Sequence, residues 1–239
     1  PDRAAPAAAI ARRSEPLVGR SQIDTCARCH ARRGTLGAYR HGRPLSDTHR
    51  LALLDAPLYY PDGQILDEVY VYGSFVQSRM HQAGVVCSNC HEPHSNRLRA
   101  RGNGVCAQCH QSTVFDTPDH HRHPTGSAGS QCVDCHMPPR TYMGVDDRRD
   151  HSMRIPRPDL SIMAGTPNAC TGCHRDRDDE WALAALDDWG VRTAGSGDHP
   201  AVAMAMTAQG DVRGAPRLAE LAANTEATPI WRATALERS

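Results

Sequence analysis

Five copies of one short pattern limit what this chain can become: CARCH at 26–30, CSNCH at 87–91, CAQCH at 106–110, CVDCH at 132–136 and CTGCH at 170–174. Together they use all ten cysteines. Cys-x-x-Cys alone suits zinc, thioredoxin-like exchange or iron–sulfur ligation. The histidine after each pair decides between them, because Cys-x-x-Cys-His is the attachment signature of c-type haem. Five such histidines arising by chance have odds of roughly one in a million. A zinc ribbon sets two pairs together and needs no histidine after each. Under the haem reading the thioether positions are Cys26 and Cys29, Cys87 and Cys90, Cys106 and Cys109, Cys132 and Cys135, and Cys170 and Cys173. The proximal iron ligands are His30, His91, His110, His136 and His174, and the cofactors are five haem c, each with its iron.

Composition fits an interior filled by cofactor. Hydrophobic residues are 39% and aromatic residues 5%, with two Phe, 19 Gly and 17 Pro. That is thin material for a core in a chain of 239 residues, and five flat apolar haems would supply the missing surface. The formal charge is zero, which points to neither nucleic acid nor an acidic membrane surface as partner. Two propionates per haem would bring the oxidised holoprotein to about −5. All 27 basic residues are arginine, whose planar fork suits buried carboxylates, propionates included. No run approaches the roughly 18 to 20 apolar residues of a membrane span, so no integral membrane protein is expected. Covalent haem attachment implies export, to the periplasm or beyond the cell. The start, PDRAAPAAAIARR, has no apolar core of signal-peptide type, as expected once such a leader has been removed.

Fourteen histidines, five of them proximal, leave nine for the opposite faces of the irons. His94 lies three residues after His91, so it cannot reach round the haem that His91 holds and is expected to serve another. His81 belongs to SFVQSRMHQAG, read as one short helix closed by Gly84. HHRH at 120–123 is expected to supply one ligand, with His123, stiffened by Pro124, preferred to His121 and then His120. His151 has Arg148, Arg149 and Asp150 as company for a propionate edge. His49 is preferred to His41 because Leu51, Leu53 and Leu54 follow it. The distal candidates are therefore His49, His81, His94, His123 and His151, with His199 structural and the methionines in packing roles.

Only 14 residues separate His91 from Cys106, and 21 separate His110 from Cys132, so neighbouring haems are tightly tethered. LYYPDGQILDEVYVYGSF predicts a small β-hairpin turning at Pro61, Asp62 and Gly63, with a strand through Val69–Tyr72. After Arg175 the pattern turns helical: DRDDEWALAALDDWG, HPAVAMAMTAQG, GAPRLAELAANT and TPIWRATALERS, punctuated by Gly190, Pro200, Gly210 and Pro229. These short Ala-rich helices resemble the start of an α-solenoid of HEAT or TPR type, whose open face calls for further repeats or a partner. The expected organisation is an extended arm over 1–20, a pentahaem domain over 21–175 and a helical region over 176–239 that breaks off in mid-pattern. The expected fold class is mainly α with much irregular loop.

From about Gly73 to His174 the runs GSFVQSRMH, VVCSNCHEPHS, GNGVCAQCH, CVDCHMP, YMGVDDRRDHSMRIPRPDLS and TPNACTGCH resemble multihaem cytochromes c of the doubled-CxxCH type. They are similar to part of the pentahaem nitrite reductases and their tetrahaem relatives. That resemblance implies that His81 ligates the haem on Cys106 and Cys109. It implies likewise that His94 ligates the haem on Cys26 and Cys29, and His123 or a neighbour the haem on Cys170 and Cys173. His49 and His151 would divide the other two irons. The nitrite reductases hold their catalytic iron through a lysine, and this chain has none. The expected function is electron transfer through five haems, mostly or all bis-His, between redox partners outside the cytoplasmic membrane. Those partners are other redox proteins or copies of the chain itself in an oligomer or filament. The alternative is an oxidoreductase with one open iron that reduces a small nitrogen or sulfur oxyanion.

Overall fold

Residues i, i+3 and i+4 share one face of a helical turn, and each motif sits in such a turn. In the computed structural model, which describes residues 7–11, 21–95, 97–191, 197 and 199–239, short helices carry all five motifs. They are α1 (Ser21–His30), α4 (Cys87–Cys90), α5 (Gly104–Ala107), α8 (Cys132–His136) and α10 (Ala169–Cys173). Between them lie α2 (Val71–Gln77), α3 (Arg79–Gln82), α6 (Ser112–Phe115), α7 (Pro118–His121) and α9 (Pro158–Ala164). The chain finishes with α11 (Asp179–Asp188), α12 (Pro200–Ala208), α13 (Gly214–Ala223) and α14 (Pro229–Arg238). Most of the arm expected over 1–20 falls outside the described residues. Within it, Ala11 N donates to Cys109 O and Gln111 N to Ala9 O, so this piece pairs with the third motif.

Strands are few and short. Arg33–Thr35 (β1) pairs antiparallel with His49–Leu51 (β2), His91–Glu92 (β3) with Arg97–Leu98 (β4), and Pro139–Tyr142 (β5) with Asp146–Arg149 (β6). The single hairpin expected around Pro61 is corrected: there, only an isolated bridge joins Tyr59 to Ile65. The strand expected through Val69–Tyr72 gives way to α2, because Tyr72, Phe75 and Val76 fall on one helical face and are all buried. The single helix expected over SFVQSRMHQAG is two. Ser78 is extended (ψ 147°) and its side chain caps α3 by accepting from His81 N, an N-cap role for which serine is well suited.

One apolar cluster runs from α1 (Ile23, Ala27) through Leu54, Tyr59, Ile65 and Phe75 to Leu218, Ile230 and Trp231. The last helices thus bury their apolar faces on the segment between the first two motifs. Leu54 N donates to the buried Thr234 Oγ1 at 3.1 Å, and Arg238 pairs with Asp55 at 3.3 Å. The helix ends obey local rules: Asp178 caps α11 by accepting from Trp181 N, proline opens α9, α12 and α14, and Gly190 and Gly210 take positive φ. Among the described residues no helix is long and apolar enough to cross a membrane.

Candidate haem-ligation site

Three of the motif histidines have a second imidazole opposite them. The ring centres of His91 and His151 are 6.3 Å apart, those of His120 and His136 6.1 Å, and those of His123 and His174 6.0 Å. Rings in face-to-face contact would be closer than this. Two imidazoles bound end-on to opposite sides of one metal, with bonds of about 2.0 to 2.1 Å and about 1.1 Å more to each ring centre, stand roughly 6.3 Å apart. The three separations fit a shared iron.

The other ring nitrogens are engaged as such a role requires. His136 Nδ1 lies 2.8 Å from Arg154 O and His151 Nδ1 2.9 Å from Arg149 O, while His123 Nδ1 bonds to His121 O. A carbonyl only accepts, so each Nδ1 carries the proton and each Nε2 keeps its lone pair for a metal. Burial lowers the pKa of His91, His120 and His151, helped by neighbouring imidazoles: His30 and His136 for the first two, His91 and His30 for the third. The neutral ring that results is the ligating form.

Local sequence aims these side chains. Pro118 opens α7, and Arg122 closes it in the left-handed conformation at φ 58°. The reversal sends His120 toward the fourth motif and His123 toward the fifth. Gly129 makes room for His123, since a Cβ there would overlap its ring. Phe115 stands edge-on to both His110 (5.3 Å) and His120 (5.5 Å), and Trp181 lies 5.0 Å from His174. So HHRH sets two imidazoles opposite motif histidines, His120 opposite His136 and His123 opposite His174.

The remaining sequence candidates are placed as follows. His49 is buried on β2 with Nδ1 2.9 Å from Thr48 Oγ1. His81 lies on α3, its ring edge-on to Phe75 at 5.6 Å. His94 is exposed in the turn between β3 and β4, its N–H donating to Glu92. His121 buries Nε2 without a hydrogen-bond partner among the described residues. His199 accepts from Ala201 N at 3.1 Å and caps α12.

Cysteines of successive motifs are neighbours. Cys87 hydrogen-bonds with Cys26, and burial together with that neighbour pushes its thiol up to about 11. Cys90 is raised by burial and by Cys109. Cys106 donates to Cys132, which raises the donor and lowers the acceptor. Cys135 is pushed up to about 11 by burial and by Cys170. Asn103 ties the third motif to the fourth, donating to Asp116 and Ser130 O and accepting from Cys132 N, each at 2.9 Å. Among the described residues no three His, Cys, Asp or Glu converge to hold a bare metal ion. Haem iron asks for only two protein ligands, a demand that a pair of histidines would meet.

Residues 93–175 match the family model of cytochrome c7 and related cytochrome c. The matched segment is of multihaem c-type cytochrome kind: it holds three of the five motifs, and such a family implies covalently bound haem. Among proteins of curated function none matches. The crystal structure of the outer cell wall cytochrome OcwA is similar in fold, with a TM-score of 0.52 at 16% identity over 94% of this chain. The chain spans 66% of the length of that structure.

Proposed function

We propose that the chain conducts electrons through five covalently bound haems arranged in the order of their motifs. One observation carries this reading: cysteines of the first and second, second and third, third and fourth, and fourth and fifth motifs are neighbours. Haem supplies the one-electron carrier, an iron that cycles between ferric and ferrous states. The chain's own residues do the rest. The ten cysteines would anchor the haems, and His30, His91, His110, His136 and His174 would each ligate one iron. His151, His120 and His123 would supply the second ligand for the second, fourth and fifth. His81 and His94, with His49 and His121, are the candidates for His110 and His30.

An iron with two imidazoles has no position left for substrate, which supports conduction over catalysis. Cys29 of the first motif, Cys109 of the third and Cys173 of the fifth are exposed, so both ends of the chain of motifs are open to partners. Those partners are other redox proteins or further copies of this chain. Haem attachment and the likeness to an outer cell wall cytochrome support a place in the periplasm or outside the cell. Residues 21–175 form the conducting region in this reading, and 176–239 the helical support against which its core is packed.

The test is the matured holoprotein. It is expected to carry five haems per chain by the alkaline pyridine assay and to show only low-spin ferric signals in EPR. A high-spin signal of one-haem intensity, or fewer than five haems, overturns the proposal.

A further inference from the structure

We infer that the buried Asp62–Arg154 ion pair is a positioning element shared by two irons, those of His91 and His136; this rests on the haem reading above. The observation is a division of labour within one short segment. Arg149 O accepts from His151 Nδ1, the imidazole facing His91, and Arg154 O accepts from His136 Nδ1. Six residues therefore hold the outer nitrogen of one iron-facing ring at each end. The backbone is tied to the fourth motif as well, with Arg154 N donating to His136 O at 3.1 Å and Asp150 N to Pro138 O at 3.2 Å.

This segment does not hold its shape unaided. Met153, inside it, has φ 44°, a left-handed conformation that costs a non-glycine residue strain and persists only where the surroundings fix it. At the Arg149 end the β5–β6 pairing and the Arg149 bridge to Asp134 hold the segment; at the Arg154 end the Arg154 side chain does. Its guanidinium reaches Asp62 Oδ2 at 3.1 Å, Ser152 Oγ at 2.9 Å and Asp150 Oδ2 at 3.5 Å. Asp62 is 3% exposed and is itself held, accepting from Gln64 N at 3.0 Å and Gln64 Nε2 at 2.8 Å. Removing one partner of such a pair leaves the other buried and uncompensated, so the segment must rearrange, and both carbonyls move with it.

The consequence is read as redox potential. A carbonyl that draws on Nδ1–H makes the ring a stronger donor, which favours the ferric iron and lowers the potential. Loosening the segment is expected to raise the potentials of the haems on Cys87/Cys90 and Cys132/Cys135 and leave the other three in place. Two variants separate position from charge. Asp62→Asn removes a negative charge and Arg154→Gln a positive one, so a field acting through space would shift the potentials in opposite directions, whereas loosening raises them in both.

The experiment is a redox titration of full-length holoprotein followed by EPR, with the two haems assigned by the signals lost in His151→Ala and His120→Ala. Absence of low-spin signals in the unsubstituted protein would sink the haem-ligation reading itself. With those signals present, an upward shift of the two assigned potentials in both variants bears out the inference. Opposite shifts, no shift, or equal shifts of all five overturn it. If either charge variant fails to take up five haems, Ser152→Ala, which removes only one acceptor of Arg154, is read in its place. An unchanged titration there overturns the inference too.

Discussion

The imidazole of His151 meets two requirements at once: its Nδ1 bonds to Arg149 O, and its ring faces His91 at 6.3 Å. Truncating it should open one iron and only one. In a His151→Ala holoprotein all five thioether-bound haems are expected to remain, with one of five low-spin signals replaced by a high-spin one; loss of two signals, or of none, would contradict the assignment. Gly129 offers a subtler probe of the same kind. Its Cβ would overlap the His123 ring, so Gly129→Ala should displace His123 and perturb the haem on Cys170 and Cys173, with an overpacking cost of about 1 to 3 kcal/mol. EPR on the variant locates the change, and denaturant unfolding gives the cost. At this scale the five Cys-x-x-Cys-His motifs were legible because covalent haem attachment asks for that fixed spacing. The role of His120 was not. It depends on Arg122 entering the left-handed region, and nothing in HHRH announces where a short helix will reverse.

Elements show a different balance between local signal and tertiary demand. Val69–Tyr72 has the β-branched and aromatic content of a strand, yet burial of Tyr72, Phe75 and Val76 on one face makes Val71–Gln77 a helix. The four C-terminal helices were legible because proline, glycine and capping residues mark their ends. How they are buried was not, since α12, α13 and α14 share one apolar cluster with Tyr59, Ile65 and Phe75, more than a hundred residues away, while α11 packs on α9. The cap of α12 shows how burial adds a pH dependence. His199 accepts from Ala201 N through Nδ1, and burial, with Arg157 and Arg154 nearby, lowers its pKa to about 4. In the unfolded chain it titrates near 6.5, so between these values the unfolded state binds more protons and stability falls as pH is lowered. The loss amounts to roughly 3 kcal/mol once pH reaches the folded value. His199→Asn keeps a capping oxygen and is expected to flatten the difference between denaturant midpoints at pH 7 and pH 5. An unchanged difference would remove His199 as its source.

For the molecule as a whole, the order of the cysteine neighbours sets the expected behaviour. Motif count and short tethers were legible in the sequence, but the tethers say only that haems are near, not which pairs meet. The neighbouring of Cys26 with Cys87, Cys90 with Cys109, Cys106 with Cys132 and Cys135 with Cys170 sets successive motifs side by side in sequence order. In that order each reduction places an added negative charge beside one or two neighbours. Two unit charges 10 Å apart at an effective dielectric of 20 interact by about 1.7 kcal/mol, far above thermal energy, so neighbouring reductions oppose one another and the titrations are coupled. Optical redox titration of the holoprotein should therefore spread well beyond a single one-electron curve, whose slope is about 59 mV per tenfold change in ratio. High salt should narrow the spread only slightly, because charges this close and partly buried are weakly screened. A titration that follows one Nernst curve for all five haems would mean that they sit apart, and the side-by-side arrangement would have to be abandoned.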